Sequence, residues 1–179
     1  MILIGMDDYI SIQPGDDLRE AFRYWTTGVG VVGAEFNGTR HGMTVSSFTS
    51  LALEPPLVIV SLQKTSRTHN LVTGSKAFSV TILSEDQQAI STRFAGLDTE
   101  QEDRFVGIGT FTLETGSPLL RDGLAFFDCK LSGQIDAGTN TVMVGEIVAA
   151  QVHENGGQIL PLVYFNRDYR KLDGSGTPS

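Results

Sequence analysis

One cysteine, Cys129, occurs in 179 residues, so no disulfide can form within the chain. That usage fits a reducing compartment. Basic residues are scarce too: 13 Lys and Arg stand against 21 Asp and Glu, for a net charge of −8 and a pI near 4.7. This balance argues against nucleic acid or an anionic membrane as the partner. No apolar run approaches the ~18 residues of a membrane span. The opening, MILIGMDDY, lacks the basic flank and cleavage pattern of a leader. Together these absences point to a cytoplasmic protein. No G-x-S-x-G elbow is present, so an α/β-hydrolase reading fails. His41, His69 and His153 are scattered, with no partner at i+2 to i+4 and no nearby carboxylate pair, which disfavours a metal site.

What is present fits one folded domain, with 40% hydrophobic and 19% charged residues. Residues 1–15 read as an arm, 16–172 as the domain, and the Gly/Ser/Pro-rich 173–179 as a disordered tail. Asp16 caps a helix expected to run to about Thr26, with Leu18, Ala21, Phe22 and Trp25 at helical spacing. Beta-branched runs follow at Val29–Phe36, His41–Val45 and Leu57–Leu62, and Asn37-Gly38 marks a hairpin between the first two. Ser66–Thr73 reads as a short helix closed by Gly74, Ala77–Leu83 as a strand, and Ser84 as the cap of a helix to about Phe94. Gly96–Val106 reads as a polar, acidic loop. Leu124–Ile135, Thr141–Glu154 and Leu160–Phe165 complete the strands. The expected class is mainly β with peripheral helices. Strands joined by short turns, without regular strand–helix alternation, indicate a closed antiparallel barrel.

The segment Gly42–Leu71 carries the chemistry. From Gly42 to Leu62 its only charge is Glu54, while Thr44, Ser46, Ser47, Thr49, Ser50 and Ser61 supply hydroxyls. An apolar strand then runs into a polar turn that opens a helix at Ser66-Arg67-Thr68. Apolar walls, neutral donors and a helix N-terminus suit a flat, polar-edged ligand bearing a phosphate. The same hydroxyls also serve as caps and turn residues. Gly28-Val29-Gly30-Val31-Val32-Gly33 matches the dinucleotide pattern G-x-G-x-x-G, with Glu54 about 20 residues on. The context is wrong for that motif, because a helix precedes the run and a strand continues through it. The glycines instead allow close backbone approach in a curved strand. Cys129, inside the apolar run Leu124–Leu131, reads as a buried small hydrophobe.

Several blocks, in order from Leu18 to Leu172, resemble the short-chain flavin reductase family, which supplies reduced flavin to two-component monooxygenases. They are Phe22-Arg23 with Gly28–Val32, the run Gly42–Phe48 with Glu54-Pro55-Pro56-Leu57, Ser66–Asn70, and Phe94-Ala95-Gly96 with Asp103-Arg104-Phe105. Gly116–Leu120, Ala125–Cys129, Pro161–Phe165 and Tyr169–Leu172 follow. The resemblance implies a split β-barrel homodimer binding FAD or FMN at the subunit interface, with NADH or NADPH as co-substrate. It implies that Thr44, Val45, Ser46 and Ser47 line the isoalloxazine and ribityl chain, that Ser61 and Leu62 contact the ring side, and that Ser66, Thr68 and Arg67 hold phosphate. Phe94 and Ala95 would close over the cofactor. The implied activity is NAD(P)H:flavin oxidoreduction, with reduced flavin passed to a monooxygenase. The family often has G-D-H-T before the long late strand, where this chain has Gly138-Thr139-Asn140-Thr141. Asn140 thus stands where a histidine near the nicotinamide would lie, and its amide donates without titrating. That departure leaves a non-catalytic flavin carrier as the alternative. An oxidase of pyridoxamine-phosphate type would carry more Arg and Lys around Thr44–Thr68.

Overall fold

The computed structural model describes residues 12–13, 17–96, 103–155 and 157–172. Most of the expected arm, the acidic residues Asp98, Glu100 and Glu102, and the tail lie outside the described residues. The chain begins with a four-residue helix α1 (Arg19–Phe22) and a short strand β1 (Thr27–Gly28). Then come β2 (Gly30–Phe36), β3 (Thr39–Val45), β4 (Thr49–Leu53) and β5 (Pro56–Gln63). Helix α2 (Arg67–Ser75), strand β6 (Ala77–Ile82), a 3-10 turn at Glu85–Gln87 and helix α3 (Gln88–Phe94) follow. The second half holds β7 (Thr110–Phe111), β8 (Leu119–Leu120), the long pair β9 (Ala125–Ala137) and β10 (Asn140–Val152), then β11 (Val163–Phe165) and β12 (Asp168–Arg170).

Seven strands form one antiparallel sheet in the order β3-β2-β6-β9-β10-β5-β4. The closed ladder expected from the strand pattern is corrected here. β3 and β4 are the two edges; Ser46–Phe48 link them in sequence, but no strand pairing joins them. The barrel is therefore split at this seam. Register shifts at Val144/Gly145 and Ile147/Ala149 bend the β9–β10 pair, as bulges do. The bend lets β9 pair with β6 while β10 pairs with β5.

Strand β2 explains its own composition. Val32 and Ala34 enter a core with Val58, Val60, Leu62, Phe78 and Met143, whereas Val31 enters a second core with Leu83, Phe94, Phe105 and Leu162. A strand buried on both faces reads as a continuous apolar run rather than an alternating one. Its glycines sit at close approaches, as expected. A Cβ at Gly33 would meet Pro118 O at 2.2 Å. Pro118 cannot retreat easily, because its carbonyl accepts a 2.6 Å hydrogen bond from the buried Ser79 hydroxyl. Cys129 is fully buried and its thiol is pushed up to about 12 by burial and by Asp128.

Two expected boundaries shift. The N-terminal helix is far shorter than Asp16–Thr26: Leu18, Phe22 and Trp25 have helical spacing but are 45%, 70% and 75% exposed. An apolar stripe with nothing packed on it does not offset helix nucleation. Helix α2 runs past Gly74 and ends where Lys76 turns left-handed at φ 58°. Gly74 instead gives room to the Phe36 ring, which a Cβ would meet at 2.7 Å. The turn at Asn37-Gly38 has φ of 52° and 76°, the hairpin geometry its residues favour. Strands β1, β4, β7, β8 and β12 were not expected; β1, β7 and β8 are only two residues long. We predict that Gly33→Ala lowers stability by about 1–3 kcal/mol, the range for overpacking, as read from the midpoint of urea unfolding.

Candidate functional site

Three clefts open around the seam between β3 and β4. The first, about 400 Å³, has Thr44 and Ser46 on one wall, Ser91 of α3 and Ala95 just beyond its end on another, and Tyr164 and Tyr169 of the β11–β12 hairpin opposite. The second, about 480 Å³, lies between the α1 segment, Ser46-Ser47 and Arg167. The third, about 320 Å³, is bounded by Trp25–Gly30, Phe48 and Thr49. Ser46 lines all three and is exposed.

Short polar contacts hold the walls in place. Thr44 Oγ1 donates to the Ser91 carbonyl at 2.7 Å, and the Ser91 hydroxyl lies 2.8 Å from Tyr169 Oη. Strand β3, helix α3 and the last hairpin are thereby tied across the first cleft. The Tyr164 and Tyr169 rings meet edge-on at 5.5 Å. Ser47 is used differently. Its hydroxyl accepts from Ser61 N–H at 3.0 Å and donates to Ser61 C=O at 3.3 Å.

A second polar string runs along the start of β10. Asn140 Nδ2 donates to Ser61 Oγ at 3.0 Å, and Thr141 Oγ1 lies 3.0 Å from His69 Nε2. Ser66 caps α2 by accepting from His69 N–H at 3.2 Å. Ser61, Asn140 and the first turn of α2 therefore lie together, next to Ser47.

Other expected residues are placed otherwise. Leu62 is fully buried in the first core. Thr68 is also fully buried, with Oγ1 2.8 Å from His41 Nδ1, so only its backbone can serve a ligand. Phe94 does not close over the cleft: its ring packs edge-on against Phe105 at 4.9 Å inside the second core, because α3 lies directly on that core. Ala95, one residue on, does line the first cleft. Val45 lines it at the strand end, and Arg67 is exposed at the start of α2. Thr27, Ser91, Tyr164, Arg167 and Tyr169 were not singled out for the site. Their only signal was a pair of tyrosines flanking a short turn.

Positive charge gathers on the α2 side. His41 is pushed down to about 4, first by burial, then by Arg104 and Arg67. Arg104 is itself lowered by burial and by Arg67. Its Nη1 donates to the carbonyls of Gly42 and Phe94 at 3.2 and 2.7 Å. Arg40 pairs with Asp103 at 2.8 Å. Among the described residues no cluster of His, Cys, Asp and Glu is arranged to hold a metal.

The arrangement fits a flavin phosphate. Val29, Val45, Ala95 and the tyrosines supply flat apolar walls, and Thr44 and Ser46 supply neutral polar groups at their edge. The nine-residue α2 presents its N-terminus beside Arg67, with the His69 N–H taken by the Ser66 cap. His69 Nδ1 is buried without a hydrogen-bond partner, as expected of a group that a ligand completes.

Residues 22–173 match the family model described as flavin reductase like domain. The chain is 36% identical over 153 residues to the NADH-dependent flavin reductase StyB of Pseudomonas fluorescens, covering 84% of this chain and 86% of that protein. It is 36% identical over 154 residues to the reductase component of 4-hydroxyphenylacetate 3-monooxygenase from Thermus thermophilus, covering 86% of this chain and 94% of that protein. A longer relative is the "Probable flavin reductase" of Rhizobium meliloti, 38% identical over 141 residues; the match covers 78% of this chain but only 43% of that protein. The structure of the NADH:FAD oxidoreductase SgcE6 of Streptomyces globisporus, in complex with NAD and FAD fragments, superposes with a TM-score of 0.85 at 26% identity, covering 94% of this chain and all of that one. With the split barrel, the hydroxyl-lined seam and this match over most of its length, the chain belongs to the flavin reductase like family.

Proposed function

We propose that the protein is an NAD(P)H-dependent flavin reductase that supplies reduced FAD or FMN to a partner monooxygenase. The observation that carries this reading is the seam: neutral hydroxyls and apolar walls converge on Ser46, with a helix N-terminus and cations at one end. Bound together, nicotinamide and flavin supply the chemistry, hydride transfer from C4 to N5. The protein needs no general base for this. Its task is to stack two rings and to aim donors at their polar edges. Thr44 and Ser46 line the ring face. The Ser66 hydroxyl accepts from His69 N–H, so its own proton is available to a phosphate oxygen. Thr68 contributes its backbone N–H, since its hydroxyl is spent on His41. Asn140 orients the Ser61 hydroxyl toward the ring side by donating to its oxygen.

A homodimer accounts for the apolar surface left on the single chain. Ile135 and Val152 on the long β9–β10 pair are 59% and 76% exposed, and Leu51 and Leu53 on edge strand β4 are 53% and 84% exposed. A two-fold contact would cover the same patch on both subunits. Among the described residues no helix is long and apolar enough to cross a membrane, and the lone thiol is buried and reduced; we place the protein in the cytoplasm. The amide at Asn140 favours a second reading, a flavin carrier without turnover. Steady-state NADH oxidation with added free flavin separates the two, since a carrier would show none.

Ser46→Ala should weaken flavin binding by about 0.5–1.5 kcal/mol, one net hydrogen bond, and leave the melting temperature unchanged. Ser47→Ala should instead lower stability by about 1–3 kcal/mol, because Ser61 N–H loses its acceptor. Fluorescence-quenching titration and thermal melts read the two effects separately. Light scattering should report about twice the 19.4 kDa chain mass; a monomer that still binds flavin would contradict an interface site.

Position 140 itself should add no step to the reduction rate from about pH 5 to 8, where a histidine there would change charge. His41 does not interfere, because a value pushed down to about 4 keeps it neutral across that window. Asn140→His should add a step within about a unit of 6.5, measured by anaerobic stopped flow. A wild-type rate that already steps near neutral pH, unaltered by the substitution, would remove Asn140 from the reacting rings.

A further inference from the structure

Two tight turns of this chain share a backbone geometry and differ at one residue. Asn37-Gly38 joins β2 to β3 with φ of 52° and 76°; Asn166-Arg167 joins β11 to β12 with φ of 53° and 64°. Two-residue turns with both centres left-handed favour glycine at the second place, because a side chain there is strained. The first turn follows the rule. The second carries a long cation where glycine would be the relaxed choice. Strain of this kind, kept at a cleft, points to use of the side chain.

The Arg167 side chain lines both larger clefts, together with Ser46 and Tyr164. Beyond it the second cleft differs in character from the flavin side. Arg19 and Arg23 bring two more guanidiniums, and the rings of Phe22 and Trp25 stand open to solvent. Two polar atoms of this wall, Arg23 Nε and Thr27 Oγ1, are buried without a partner. The nearby carboxylates do not cancel the charge. Glu20 lies 2.8 Å from Arg23 and 3.8 Å from Arg167, and Asp17 lies 2.7 Å from Arg19. Three cations against two anions leave the cleft net positive on a chain of net charge −8.

We propose that Arg167 holds the ADP-ribose half of the nicotinamide co-substrate in this second cleft. This rests on the flavin reductase reading above and specifies where the co-substrate is gripped. A planar guanidinium matches phosphate oxygens in pairs. Arg23 Nε and the Thr27 hydroxyl complete hydrogen bonds to phosphate and ribose. An exposed ring, Trp25 or Phe22, stacks on adenine, as aromatic faces do on bases. The nicotinamide end then passes Ser46, which with Tyr164 and Arg167 is common to both clefts, to reach the flavin ring in the first.

Trp25 is the only tryptophan of the chain and lines this cleft, so its emission reports occupancy. The probe is ADP-ribose, which lacks the nicotinamide and undergoes no hydride transfer. Titration of wild type should shift Trp25 emission saturably. In Arg167→Gly the apparent Kd should rise about tenfold or more, as for a lost charged hydrogen bond. The melting temperature should hold or rise, because glycine relaxes the turn. In turnover assays the KM for NADH should rise with it, by a larger factor than the KM for flavin. Equal ADP-ribose affinity in the two proteins, or emission unmoved by ADP-ribose, would overturn the proposal. So would a changed light-scattering mass of Arg167→Gly, which would assign the residue to a subunit contact. Failure of the functional reading looks different: wild type would then oxidise no NADH with either flavin.

Discussion

Along β5 the hydrogen-bond ladder to β4 reaches Thr49 opposite Ile59, and the same register would set Ser47 opposite Ser61. At that point the backbone leaves the sheet to cross from β3. A ladder that stops inside a protein strands polar groups, and buried ones must find partners. Ser47 answers with a single hydroxyl that takes both the N–H and the C=O of Ser61. A side chain thus completes the pairing that backbone would have made. The barrel stays open at the seam without leaving Ser61 unsatisfied there, and the freed Ser46 can face three clefts at once. The candidate site exists because the sheet is not closed.

Charge is distributed to match. On the β3 wall of the first cleft the polar groups are the hydroxyls of Thr44 and Ser46, and the buried His41 is kept neutral by burial and by two arginines. Fixed positive charge sits at the α2 end and at the α1 side, where anionic groups of nucleotides would lie. His41 has a structural task in this arrangement. It joins β3 to the first turn of α2 through Thr68, so that turn and that strand keep a fixed spacing. A charged His41 between Arg104 and Arg67 would push that turn away.

Much of the frame was legible before any coordinates. Asn37-Gly38 forms the expected turn, β9 and β10 lie where two long β-rich runs were read, and Gly33 meets a neighbouring backbone as a glycine in a curved strand should. What failed did so for nameable reasons. The apolar spacing of Leu18, Phe22 and Trp25 is helical, but spacing does not say whether anything covers the stripe. Gly74 looked like a helix stop, whereas its missing Cβ makes room for Phe36, a contact between residues distant in sequence. Phe94 and Thr68 belong to site motifs, yet both point inward, since direction depends on which core a helix lies against. Tyr164, Arg167 and Tyr169 close the first cleft from the far end of the chain, and no local pattern links them to Thr44.

A protein that reduces flavin for another enzyme must also let the flavin go. Neutral hydrogen bonds suit that need, because each contributes only about 1 kcal/mol net and none leaves a buried charge uncompensated when the ligand departs. A lysine or arginine buried against the ring would bind more tightly and would be stranded in the empty site at several times that cost. The exposed position of Arg67 keeps its attraction screened by solvent and salt. Such a screened attraction would gather a nucleotide and still release it. The hydroxyl-rich, charge-poor run from Gly42 to Leu62 is the sequence form of that compromise.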